Sequence, residues 1–171
     1  MQQRTCPLSA FTLSTCMAFG AVAVAGDLPK EGTYKATYSS SSPIKLIQVG
    51  KERVFLVFSD EIGQTVSDGF LDHATWRCWG MGDHTNGLGQ DHGSCVATDP
   101  SGDQVVDDWK TEDYTLGQKM VKLTDKFTTG TGKYAGITGG GTATVDTGFR
   151  PPEGTFVIRA EMQGAYKLPG P

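Results

Sequence analysis

The chain alternates between apolar and polar positions over most of its length. In GTYKATYSSS, Tyr34, Ala36 and Tyr38 fall on one face and Lys35 and Thr37 on the other, the period of two expected of a half-buried strand. A turn is expected at Ser42-Pro43, followed by PIKLIQV, and the short connection VGKE leads into RVFLVFS. ATWRCW and GSCVATD read as paired strands around a long glycine-rich loop, Gly80 to Gly93. The stretch DPSG, Asp99 to Gly102, has type I turn chemistry and joins CVATD to DQVVDDW as a hairpin. QKMVKLTDKF is a further strand, with Met120, Leu123 and Phe127 set among charged neighbours. In GTFVIRAEMQGAYKL, Phe156, Ile158, Ala160, Met162 and Tyr166 share one face, and Thr155, Val157, Arg159, Glu161 and Gln163 the other. The preceding GFRPPEG reads as a loop, because neighbouring prolines do not fit a central strand. No window after Gly26 holds a helical period over three turns.

About eight closely spaced strands without helices predict an all-β fold, and closure into an antiparallel barrel removes the exposed edges. A two-sheet sandwich is the alternative. One run breaks the alternation: Val54-Phe55-Leu56-Val57-Phe58 is apolar on both faces. A strand covered on one side only does not look like this. With no helix to supply a second layer, a subunit interface is the expected cover.

The first residues change the picture of compartment. Arg4 is followed by a mostly apolar or small run from Leu8 to Val24, ending in Ala23 and Ala25 at small-residue positions. This reads as a secretory signal peptide, residues 1–25, cut after Ala25 and leaving one domain, 26–171. A membrane anchor is the rival, but the run holds several Ser and Thr and lacks a positive flank, so no stable membrane insertion is expected. Cys16 follows Thr15, which argues against a lipoprotein. The remaining chain is expected outside the cytoplasm, secreted or periplasmic.

The formal net charge is −4, and loss of Arg4 makes it one unit more negative. Lys and Arg are scattered singly, which argues against nucleic acid as a partner. Cys78 and Cys95 are the cysteines left after cleavage. In an oxidising compartment an even count points to one disulfide; a metal site or a reactive thiol is the sharper alternative.

TTGTGKYAGITGGGT, Thr128 to Thr142, is dense in glycine. It is not a phosphate loop: Gly132-Lys133 is followed by Tyr134, and Phe127 stands where the first glycine belongs. The spacing of Gly130, Gly132 and Gly136 also misses the dinucleotide pattern, and no helix follows. Tyr134, Ala135 and Ile137 make it unlike a linker. A sharply bent segment fits better, where backbone comes close to backbone and Gly139 to Gly141 open the next strand.

GTGKYAGITGGGT resembles the glycine-rich signature of the barrel superfamily containing allene oxide cyclases and dirigent proteins. Bacterial secreted relatives of unknown role look closer still, with a C-x-x-TD-x-x-GD segment matched here by Cys95 to Asp103. The resemblance implies an eight-stranded antiparallel barrel, often trimeric, with a pocket inside, and structural roles for Gly130, Gly132, Gly136 and Gly139. It hands over no catalytic residue, because no cyclase or dirigent active-site position can be matched to a number in this chain.

Candidate chemistry is sparse. His84 and His92 each follow an Asp, and a loop carrying both could hold a divalent metal or copper, but their spacing matches no ligand motif and soluble turn residues are the plainer reading. The acids from Asp99 to Asp113 do not follow the calcium-loop pattern and read as a solvated hairpin face. Arg159 and Glu161 would anchor a ligand if their strand face turned inward, although the uniformly apolar opposite face favours turning them outward. Tyr34, Trp76 and Trp79 are further pocket candidates, and Trp109 could line a sugar or apolar site with the other tryptophans, core packing being their plainer role. No Ser-His-Asp or Cys-His set is present and no cofactor is implied. The expectation is a barrel that binds a small apolar or aromatic molecule. A lyase or isomerase acting by confinement, and an envelope protein with a filled barrel, are the alternatives.

Overall fold

The computed structural model describes residues 28–147 and 155–169; the expected leader and the GFRPPEG loop lie outside the described residues. The strands are β1 (Glu31–Val49), β2 (Arg53–Ser67), β3 (Thr75–Thr85), β4 (Leu88–Thr98), β5 (Gln104–Thr111), β6 (Tyr114–Thr115), β7 (Met120–Gly130), β8 (Thr138–Asp146) and β9 (Thr155–Lys167). Each long strand pairs antiparallel with the next, β9 pairs back onto β1, and the barrel is closed. The two-residue β6 adds to the end of β4. The described residues contain one 3-10 turn, Gly132–Tyr134, and no α-helix.

Two expectations about local structure change. The segment Gly80 to Gly93 is not a loop: β3 and β4 stay paired from Thr75↔Thr98 to Thr85↔Leu88. Asn86 and Gly87 turn the chain with φ of 55° and 80°, the left-handed pair that a tight hairpin requires. Nor does the chain turn back at Ser42-Pro43. β1 runs straight through, with a register shift against β2 between Ser41 and Ile44 and unbroken pairing to β9. Pro43 sits on the outer face at this bulge, where a missing N–H is tolerated.

The two-faced run of β2 is explained in part by closure. Leu56 and Phe58 are buried toward the interior, while Phe55 and Val57 face outward and are half-buried. The Arg53 guanidinium lies 4.7 Å from the centre of the Phe55 ring and covers part of it.

Following the ladder once round the barrel shows how the interior is shaped. Tyr34 pairs with Gly164, Gly164 with Gly141, and Gly141 with Asp125. Asp125 pairs with Trp109, Trp109 with Gly93, and Gly93 with Gly80. Gly80 pairs with Phe58, and Phe58 with Ile44, back on β1. The circuit leaves β1 at Tyr34 and returns at Ile44, a stagger of ten residues. Such a stagger tilts the strands, and a barrel of this strand number is then wide enough to hold one small ligand.

Large and small residues alternate along that inward row, and the glycines make the room. A Cβ on Gly80 or Gly93 would stand 2.8 or 2.7 Å from the Trp109 ring. A Cβ on Gly141 or Gly164 would stand 2.7 Å from the Tyr34 hydroxyl. Farther along, Gly139 has φ of 118°, and a Cβ there would collide with the Ala165 carbonyl. Gly132 and Gly136 turn the chain at φ of 51° and 74°. A Cβ on Gly130 would strike the Tyr134 carbonyl. The glycine-rich segment is a bent, packed part of the wall.

One end of the barrel is plugged. The β2–β3 loop inserts Phe70, which stacks on Tyr166 with centroids 4.3 Å apart and planes at 10°. Tyr34, Phe127 and Tyr134 surround it at 5.1, 5.5 and 5.9 Å. Thr65 fastens the loop, its hydroxyl donating to the Leu71 carbonyl at 2.6 Å and accepting from the Trp76 indole at 3.1 Å. The 3-10 turn is held by Asp99, which pairs with the Lys133 ammonium and accepts from the Tyr134 hydroxyl at 3.2 Å. Burial works against the Asp99 charge, but Lys133 and hydrogen bonds from Ser101 outweigh it and bring its pKa down to about 2. The opposite end has no comparable plug among the described residues.

Candidate functional site

Above the aromatic plug the barrel encloses a cavity of about 570 Å³, within the range of small-molecule sites. Leu56, Phe58, Val121, Val145, Ile158 and Met162 form apolar walls. Ile44, Leu46, Leu116 and Thr155 line it at the unplugged end. The interior is therefore not filled by its own side chains.

The floor is acidic. Glu61, Cys78, Cys95 and Asp107 succeed one another across β2, β3, β4 and β5, and all four line the cavity. Cys78 and Cys95 are joined by a disulfide between directly opposed residues, Cα atoms 4.1 Å apart. Asp125 lies beside them on β7, as a member of the row that starts at Tyr34. Glu61 is well partnered: one oxygen accepts from the Tyr38 hydroxyl at 2.7 Å and the Ser40 hydroxyl at 2.6 Å. Burial, with Glu61 alongside, pushes the Tyr38 phenol far up, so it stays a neutral donor.

Asp107 and Asp125 are different. Oδ1 of Asp107 and both oxygens of Asp125 are buried without a hydrogen bond of good geometry. Burial pushes the Asp107 carboxyl well above the usual range, and the Asp125 charge adds to this. Burial also raises Asp125, to about 6, although the Gly141 N–H and the Tyr34 hydroxyl lie near enough to favour its charge somewhat. Burial raises the Tyr34 phenol, as do Asp125 and Asp107. The floor thus holds two carboxyl groups that compete for ionisation, with Oδ1 of Asp107 and both Asp125 oxygens short of a hydrogen bond of good geometry.

A second polar cluster lies under β6. His84 is fully buried, and its Nε2 stands 2.9 Å from Oδ1 of Asp91. The Tyr114 hydroxyl donates to the other Asp91 oxygen at 2.7 Å. Asp91 also donates its backbone N–H to the Thr111 hydroxyl at 2.9 Å. Burial and the adjacent Asp91 charge keep the Tyr114 phenol protonated.

The structure sorts the candidates read from the sequence. Trp76 lines the cavity, whereas Tyr34 packs in the plug and is not part of the lining, with its hydroxyl near Asp125. Trp79 is 47% exposed on the outer face and leaves the pocket set. Arg159 and Glu161 are exposed on the outer face of β9 and leave it too, because their neighbours Ala160 and Met162 occupy the inner face. His84 points inward and His92 outward from adjacent strands, so the two imidazoles do not converge on one metal ion. Among the described residues no cluster of three His, Cys, Asp or Glu is arranged to hold a metal. The acids from Asp99 to Asp113 are not one solvated face: Asp99 and Asp107 are buried, while Asp108, Glu112 and Asp113 are exposed.

Trp109 lines the cavity as the sequence allowed, whereas the floor acids Glu61 and Asp125, with Tyr38, were not singled out, and Asp107 was read only as part of a solvated face. Asp107 and Asp125 sit at the inward phase of otherwise apolar strand faces, with Val105 and Phe127 two residues away. A charge on the apolar phase is the signal that could have found them.

No protein-family model matches the chain, and no curated protein matches it. At the level of structure it resembles a solved pterocarpan synthase dirigent protein, with a TM-score of 0.54 over 83% of this chain and 89% of that chain. The barrel is dirigent-like. Sequence identity to that protein is 8%, so the likeness concerns the fold alone. Within this dirigent-like barrel the cavity, its apolar walls and its acidic floor are the candidate site.

Proposed function

We propose that this protein is a secreted or periplasmic barrel that holds one small, largely apolar or aromatic molecule in its interior. The observation that carries this reading is the cavity of about 570 Å³, apolar along its walls and closed at one end. Burying an apolar ligand there gains about 25 cal/mol per Å² removed from water. The wall aromatics Phe58 and Trp109, 6.4 Å apart and edge to face, suit a planar ring. The disulfide supports an oxidising compartment. Placement among bacterial secreted barrels belongs to the same proposal. Native mass spectrometry of protein isolated from its source tests it. A co-purified small molecule of fixed mass, released on unfolding, supports the reading; protein of bare chain mass that also takes up no apolar probe overturns it.

A second reading is a lyase or isomerase that shapes a reactive intermediate. The Asp107 and Asp125 pair favours it, because a carboxyl held protonated near neutral pH can donate a proton at a fixed point. The structural neighbour is named as a synthase, which fits this reading without assigning a substrate. Turnover that falls when either aspartate is changed to Asn is the expected result, and unchanged turnover in both variants excludes their participation.

Self-association is also proposed. Ile47, Ile62, Val66, Trp79 and Met81 are exposed on the outer face of β1 to β3, beside the half-buried Phe55 and Val57. Light scattering of the purified protein should report a multiple of the chain mass; a monomer ends this part of the account.

A further inference from the structure

The lining of the cavity has a one-sided charge. Among the described residues it carries four carboxyl groups, Glu61, Asp91, Asp107 and Asp125, and no Lys, Arg or His. Two of them are already answered. Asp91 is held by His84 and Tyr114, and Glu61 by Tyr38 and Ser40. Asp107 and Asp125 are not met by any such close side-chain pair: the Cys95 N–H lies near the first, and the Gly141 N–H and Tyr34 hydroxyl near the second. The two aspartates are only 3% and 9% exposed, line the cavity, and keep oxygens without a hydrogen bond of good geometry.

A buried carboxylate without a partner is costly. Apolar replacements would cost less, so the pair is informative about what enters. A hydroxyl brings one donor and no charge; an ammonium brings up to three donors and the charge that two neighbouring acids need. Trp109 stands opposite Asp125 in the ladder, and its indole lies over Gly93 and Gly80 toward Phe58, where it offers an aromatic wall to the body of the ligand. An anionic ligand meets four acids and no base.

We propose that the cavity selects a cationic ligand, an amine carried on an aromatic or apolar body, with its ammonium end seated between Asp107 and Asp125. This rests on the interior-binding reading above and specifies the ligand class for that same site. The groups facing the ammonium are Asp107 from β5, Asp125 from β7, Glu61 from β2, and the Tyr34 and Tyr38 phenols from β1. A bound cation favours ionisation of both aspartates, so amine binding releases a proton in the range where the pair is partly protonated. Amine affinity then rises with pH, by up to about tenfold per unit in the limit of one proton released.

Calorimetric titration of the disulfide-bonded protein with phenylbutylamine, phenylbutanol and phenylbutyrate tests this, because the three share one body and differ in the polar end. The amine is expected to bind at least ~10-fold more tightly than the alcohol, consistent with a charge-assisted pair, and the carboxylate most weakly. Asp125→Asn and Asp107→Asn should each remove the preference for the amine while alcohol binding persists, which also shows that the variants are folded. An alcohol that binds as well as the amine overturns the amine assignment and leaves the interior-binding reading standing. Binding of none of the three overturns both. An amine preference kept in both variants, or unchanged from about pH 5 to 8, overturns the role given to the pair.

Discussion

Replacing Asp125 by Asn should stabilise the empty protein, and by an amount that depends on pH. Burial raises this carboxyl from its ordinary 3.8 to about 6. A displacement of that size is worth about 3 kcal/mol between the two protonation states. The sign follows from linkage. The folded state holds the proton more tightly than the unfolded chain. Its contribution is fully present below the unfolded value, 3.8, and is lost as pH rises through about 6. Above that range the folded protein carries an ionised, buried and poorly partnered carboxylate. Asn removes the charge but leaves a buried amide short of partners, a cost of about 1 kcal/mol.

The net expectation is a gain of about 2 kcal/mol near pH 7.5 that shrinks to nothing or reverses near pH 4. Asp107 adds in the same direction, because neutralising Asp125 removes the like charge beside it. Urea unfolding of the two disulfide-bonded proteins at both pH values reads the difference directly. A variant that is destabilised equally at both pH values refutes the reasoning, since it means that the folded protein already accommodates the carboxylate.

Three further substitutions probe the scaffold. Cys78→Ala with Cys95→Ala opens a loop of sequence separation 17 and should cost about 3 kcal/mol in urea unfolding, by the chain-entropy account; no loss would show that the bond is not structural. Phe70→Ala removes the centre of the aromatic plug, packed against Tyr166, Tyr34 and Phe127, and should cost about 3–5 kcal/mol; a loss under about 1 kcal/mol, read from the urea midpoint, would mean that the plug is not packed. Gly141→Ala pushes a methyl into the Tyr34 hydroxyl and the Gln163 carbonyl and should cost about 1–3 kcal/mol; a neutral result by thermal melting would remove the glycine row from the account.

Much of the fold was legible because β alternation survives in Tyr34 to Tyr38 and in Phe156 to Tyr166, where one face is apolar and the other polar. The DPSG hairpin was legible from its turn chemistry, and Gly102 does accept a left-handed φ of 92°. The Asn86-Gly87 hairpin carried an equally plain signal, but the glycines around it made β3 and β4 look like loop. Those glycines belong to a row that crosses the sheet, with Gly80 and Gly93 making room for Trp109. No single strand reveals such a row, because it exists only once register is set. The floor was hidden for the same reason. Glu61, Cys78, Cys95 and Asp107 are far apart in the chain and become neighbours only through three ladders. Trp79 misled because aromatic character alone does not fix phase, and its inward neighbour is Cys78.

The central claim is that the barrel interior is the binding site. Ala160 is buried on the inner face of β9 and lines the cavity. Fluorescence titration with the neutral apolar probe N-phenylnaphthylamine, on the wild-type protein and on Ala160→Trp, tests the claim most directly. The account predicts saturable binding to wild type that is lost in the variant, with both proteins showing the same far-ultraviolet dichroism. Equal binding by a folded Ala160→Trp protein would place the ligand outside the barrel and contradict it.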